Sequence, residues 1–123
     1  MTTFEDRTLL EDLVANGVDD WVYEALVYGN IARRVVAAPT ERRAVALGLI
    51  TEALLTGFME AGETPAGEGF VPWPVEPIDA VTRICREWTA RDDPGVGPGE
   101  IVWLRNTPKG DALGNAVLER ERE

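Results

Sequence analysis

The chain holds no histidine and no serine, and its single cysteine is Cys85. The commonest general base, the usual nitrogen ligand for a metal and the hydroxyl nucleophile of Ser/His schemes are therefore missing together. Cys85 shares a helical spacing with Val81, Ile84 and Trp88, so its thiol reads as packing rather than as a nucleophile. The adjacent acids Asp19/Asp20 and Asp92/Asp93 point apart along the backbone and read as caps and turns. Gly95-Val96-Gly97-Pro98-Gly99 is phosphate-loop-like in composition only, because no Lys-Ser/Thr follows it. No calcium-loop spacing of oxygen ligands is present. The residues point away from an enzyme and imply no cofactor and no metal.

Charged and aromatic residues remain as functional candidates. The net charge is −10, and it is unevenly spread. Residues 1–30 hold seven acids against Arg7 alone, and residues 52–76 hold five acids and no base. Between them lies a basic island of Arg33, Arg34, Arg42 and Arg43 beside Glu41. A field of this sign repels nucleic acid and anionic membrane and attracts a basic partner. Phe70 and Trp73, on a Gly/Pro-rich tip with Glu60, Glu63 and Glu68, form the expected partner-facing patch. Arg33, Arg34, Arg42 and Arg43 form the alternative site, with Arg42 and Arg43 at the exposed start of a helix that reads duplex DNA. Glu41 and the flanking acids favour a solvated, ion-paired face over DNA contact there.

The elements that must hold these residues follow from periodicity. Pro39 and Thr40 open a helix, with Thr40 as the cap, and Ala46, Leu49, Ile50, Ala53, Leu54 and Gly57 give its apolar face. Gly57 should close it in the left-handed conformation. Residues 58–60 and 70–73 then read as a hairpin whose second strand is an edge, because Pro72 donates no hydrogen bond. Upstream, residues 4–16 read as one amphipathic helix ended by Asn16-Gly17. A second helix, capped by Asp19 or Asp20, should run from Trp21 towards Val36, with an interruption at Gly29-Asn30. Downstream, Pro77 starts a helix with Val81, Ile84, Cys85 and Trp88 inward. Residues 92–99 are a stiff turn, and 101–104 a short buried strand. Residues 107–110 form a turn, and 111–118 a last helix. Trp21, Leu26, Leu49, Leu54, Ile84 and Trp88 should share one core.

This order of helix, capped helix, short strand and wing resembles winged-helix domains. Leu54-Leu55-Thr56-Gly57-Phe58-Met59 is similar to the boundary that ends the recognition helix in bacterial regulators of the MarR and PadR kind. The run Leu104-Arg105-Asn106-Thr107-Pro108-Lys109-Gly110 is similar to the turn after their third strand. The resemblance covers roughly residues 20–74 and 101–116, and the helix at 77–91 interrupts it. The chain as a whole also looks like small bacterial proteins of actinobacterial type, a likeness that implies no activity.

The expected fold class is mainly α (α+β), with all-α as its short label, and about five helices around one core with a short β-hairpin or wing. Residues 1–118 are read as one winged-helix-like domain and 119–123 as a frayed charged tail. One cysteine and no apolar run long enough to span a bilayer make the cytoplasm the expected location, with no membrane partner. The expected function is a non-catalytic acidic interaction module docking a basic protein, immunity- or anti-regulator-like. The alternative is a winged-helix DNA-binding regulator.

Overall fold

In the computed structural model, residues 3–122 are described. Among them the chain forms five helices and a four-stranded antiparallel sheet in the order β1-β4-β2-β3. The class is therefore mixed α+β rather than all-α. The unexpected strand is β1, which lies in a segment read as helix, while β4 answers the strand expected at 101–104, shifted two residues on.

The first departure lies at the N-terminus. A short 3-10 turn at Phe4–Asp6 precedes α1, Leu9–Asn16. Thr8 breaks the expected single helix by making its own cap. Its Oγ1 accepts from the Glu11 N–H at 3.1 Å, while the Glu11 carboxylate accepts from the Thr8 N–H at 2.8 Å. Gly17 does follow α1, but with φ −84 it is not left-handed. Its role is close approach, since a Cβ there would run into the Asn106 side chain.

Asp19, at φ 63, makes the left-handed turn instead. Asp20 accepts from the Trp21 N–H at 2.8 Å, so neither aspartate caps a helix. The chain then pairs as β1, Val22–Tyr23, before α2, Glu24–Leu26. A wide π turn at Val27–Ile31 absorbs Gly29-Asn30, and a 3-10 turn follows at Ala32–Arg34. Because residue 21 precedes a strand, Trp21 is 40% exposed and lies outside the core.

α3, Pro39–Leu55, starts two residues earlier than the cap reading placed it. Pro39 is the first helical residue and Ala38 the N-cap, so Thr40 caps nothing. Its buried face is Ala46, Leu49, Ile50, Ala53 and Leu54, as the spacing requires. Gly57 closes it at φ 80, and the Phe58 N–H reaches the Ala53 carbonyl at 3.0 Å.

β2, Met59–Glu63, and β3, Val71–Pro72, pair as the expected hairpin, with Pro72 on the outer edge. α4, Pro77–Thr89, buries Ala80, Ile84 and Trp88. The Trp88 indole donates to the Pro94 carbonyl at 2.8 Å and fixes the following turn. β4, Trp103–Asn106, lies between β1 and β2 and pairs with both. Leu49, Leu54, Ile84 and Trp88 lie together in the core, with Leu26 packed against it.

α5, Pro108–Arg122, begins at the expected turn and runs through the expected tail. The tail at 119–122 is thus helix; residue 123 lies outside the described residues. Arg7 grips Glu121 at 2.6 and 2.7 Å, and Arg120 meets Glu11 at 3.1 Å. These ion pairs lay α5 against α1 and explain why an alternating charged end is ordered. Among the described residues, no helix is long and apolar enough to cross a membrane.

Candidate functional site

Three separate stretches of chain meet at one edge of the fold. The end of α1 brings Gly17, and the left-handed turn after it brings Asp19, Asp20 and Trp21. The end of β4 brings Arg105 and Asn106, and the first turn of α5 brings Asp111. Together they line a cleft of about 450 Å³.

Its walls are held from behind. The Trp21 ring packs on Phe70 at 6.4 Å and 41°. The Arg105 guanidinium lies 4.5 Å from the centre of the same Phe70 ring and donates through Nε to Glu60 at 2.7 Å. Arg105 is thus the one cation lining the cleft and is already paired with Glu60, while Asp19, Asp20 and Asp111 line the same cleft.

The floor is Asn106, 7% exposed. Its Nδ2 donates to the Val14 carbonyl at 2.8 Å and to Asp111 Oδ1 at 3.1 Å. Its Oδ1, beside Gly17, is buried with no partner. Carboxylates and an amide oxygen are all acceptors, and Trp21 offers an aromatic face.

The sequence-predicted residues are placed differently. Phe70 and Trp73 are 9% and 7% exposed, so neither is the exposed ring that the patch reading expected. Phe70 is covered by Trp21 and Arg105, and Trp73 by the Arg83 guanidinium at 3.8 Å. Glu60 is half-buried in its pair with Arg105; Glu63 and Glu68 are exposed on the hairpin. Trp73 lines a second cleft of about 170 Å³ with Leu54, Met59 and Ala80.

The basic island is mostly engaged inside the fold. Arg34 meets buried Asp12 at 3.2 Å and the Arg7 carbonyl at 2.9 Å. Arg43 donates to the carbonyls of Trp88 and Arg91 at 3.2 and 3.0 Å, at the end of α4. Arg42 lies over the Tyr28 ring at 5.7 Å, and Arg33 is exposed. Arg42 and Arg43 do not form an exposed pair at the helix start.

Two titratable environments stand out elsewhere. Burial pushes the Glu24 carboxyl up, against backbone N–H donors that pull it down. Glu11 is held low by hydrogen bonds from Arg120 and Thr8, and Glu121 by Arg7. Among the described residues, no three acids, cysteines or histidines converge to hold a metal ion.

Sequence reasoning missed the cleft for a physical reason. Asp19 and Asp20 suited a helix cap, and Trp21 suited a helical core position. The available signal was the β-prone pair Val22-Tyr23 directly after them, which makes the acids a turn before a strand. Nothing local could bring Asn106 and Asp111 to Gly17. In comparison with known proteins, the chain matches no family model, no curated protein and no solved structure.

Proposed function

We propose that this chain is a non-catalytic acidic interaction module that docks a basic protein partner, in the manner of an immunity or anti-regulator protein. One observation carries the reading: Asp19, Asp20 and Asp111 line a single cleft beside the exposed Trp21, and the one cation lining it, Arg105, is already paired with Glu60. The net charge of −10 adds long-range attraction and raises the encounter rate with a cationic surface. A cleft with an aromatic rim and acidic walls concentrates that attraction at one place.

The winged-helix regulator reading keeps the α3–hairpin order in its favour. Its reading residues do not help it, because Arg34 and Arg43 are bonded within the fold. No specific observation favours it over docking.

Calorimetric titration of the full chain with a hexa-arginine peptide, beside a hexaglutamate control, tests the proposal. The expected result is one-to-one binding of the basic peptide at near-physiological salt, weakening as salt rises, and no binding of the acidic peptide. Absence of hexa-arginine binding even at low salt overturns it.

A further inference from the structure

We infer that the second cleft, between the β2–β3 hairpin and the start of α4, is the anchor site for one apolar side chain carried on a short basic segment of the partner. The inference rests on the docking reading and adds to it the side chain that fixes the partner in place.

This cleft is apolar inside and at its mouth. Leu54, Met59, Trp73 and Ala80 line it and are buried, while Val75 lines it and is 49% exposed. Its volume is about 170 Å³. An apolar cavity of about 150 Å³ holds a benzene ring, so one side chain the size of leucine or phenylalanine fits. The mouth is surrounded by further exposed apolar groups: Leu55 follows Leu54, Val71 precedes the lining residue Pro72, and Ile78 follows the lining residue Pro77. Single exposed apolar side chains are ordinary, but a group of them around a cleft marks a docking surface.

Charge decides the occupant. Residues 52–79 hold six acids and no base. Glu76 stands between the lining residues Val75 and Pro77, and Asp79 stands beside Ala80. Both acids are exposed, and among the described residues neither is in an ion pair. Two arginines that touch lining residues are already engaged: Arg83, on the Trp73 ring, pairs with Glu87, and Arg105 pairs with Glu60. A second copy of this chain would set Glu76 and Asp79 against their own equivalents, because a twofold interface pairs a patch with itself, and two chains of charge −10 repel. An anionic lipid surface is repelled in the same way. A basic segment with one apolar side chain satisfies both halves of the site, with the side chain in the cleft and its flanking bases over Glu76 and Asp79. Glu60, which lines this cleft, pairs with Arg105, which lines the first, so one side-chain pair joins the two clefts across β2 and β4.

The test is an amide NMR titration of the full chain with acetyl-Lys-Arg-Leu-Arg-Lys-amide. The comparators are the same peptide with alanine in place of leucine, acetyl-Glu-Glu-Leu-Glu-Glu-amide, and hexa-arginine. Saturable shifts of the Trp73 indole and of the Val75 and Ala80 amides are expected with the basic leucine peptide, which should bind about tenfold tighter than its alanine counterpart. The double variant Glu76→Gln, Asp79→Asn should weaken the basic leucine peptide by about fivefold. Both positions are exposed and Glu76 makes no side-chain cap bond, so the fold is kept. An affinity unchanged in the double variant overturns the inference, as does acidic leucine peptide bound as tightly as the basic one. Shifts at Val75 and Ala80 that grow with protein concentration alone put a second copy in the cleft and overturn the basic segment. Hexa-arginine binding with the leucine and alanine peptides equal overturns the anchor and leaves the docking reading standing. No hexa-arginine binding at all overturns the docking reading itself.

Discussion

The carboxylate of Glu24, wholly buried, accepts hydrogen bonds from the backbone N–H of Val102 at 3.2 Å and of Ile101 at 3.3 Å. It pins the chain entering β4 to the start of α2, so one side chain ties the two strands together at the Tyr23–Trp103 end of the β1–β4 pairing. Burial raises its pKa above the ordinary 4.5, and the backbone donors only partly offset this. With the folded value above the unfolded one, the contribution of Glu24 is fully present below the unfolded pKa. It is lost as pH rises through the folded pKa. The melting temperature of the wild type minus that of Glu24→Gln is therefore expected to shrink from acid towards neutral pH. A difference that grows over that interval would contradict the burial argument.

Asp12 carries a second buried charge, 2% exposed, with a different solution. Arg7 and Arg34 reach its two oxygens at 3.1 and 3.2 Å, and the Asn16 amide adds a bond at 3.1 Å. Removing the acid leaves two partly buried guanidinium groups facing each other. Asp12→Ala is expected to destabilise the fold by about 3–5 kcal/mol, read as a lower urea midpoint. A loss below about 1 kcal/mol would mean that the triad is open to water in solution.

Glycine substitutions separate close approach from helix propensity. A Cβ on Gly110 would strike the Phe58 carbonyl, which already accepts from the Thr107 N–H at 3.0 Å. Gly110→Ala is expected to cost about 1–3 kcal/mol by forcing α5 off the β2 entry. Gly48 lies in the middle of α3 with nothing within 4 Å of the same atom. Gly48→Ala should therefore raise stability by about 0.5–1 kcal/mol. Equal effects of the two substitutions in thermal melts would remove the packing assignment at Gly110.

Helical periodicity made α3, α4 and the hairpin legible, because each carries its own signal: Pro39 and Pro77 as starts, Gly57 as a stop, Pro72 as an edge. The strand at 101–104 was legible too, but β1 and the sheet order were not, since β1 is two residues long and owes its existence to β4, some eighty residues away. Burial of Phe70 and Trp73 was hidden for the same reason: Arg105 and Arg83, which cover them, are distant in sequence. The fate of the arginines turned on carbonyls and acids that only the tertiary structure supplies. Of the cleft, residues 19–21 were visible as acids beside a tryptophan, but the orphan oxygen of Asn106 is a property of packing alone.

Arg43 gives the sharpest contrast between a surface charge and a structural one. Its guanidinium closes the C-terminal end of α4 by donating to the carbonyls of Trp88 and Arg91, where a cation also suits the helix dipole. Arg43→Ala strips these partners from two backbone acceptors and is expected to lower stability by about 1–2 kcal/mol. Arg33, exposed and carrying the same charge, should be replaceable by alanine within about 0.5 kcal/mol. Melts of the two variants, with duplex-DNA mixing at low salt alongside, separate the roles. A DNA retention that Arg43→Ala abolishes at unchanged stability would return this arginine to the surface and reopen the regulator reading. Lower stability without any DNA retention in the wild type would leave Arg43 as a clamp between α3 and α4, where its geometry already puts it.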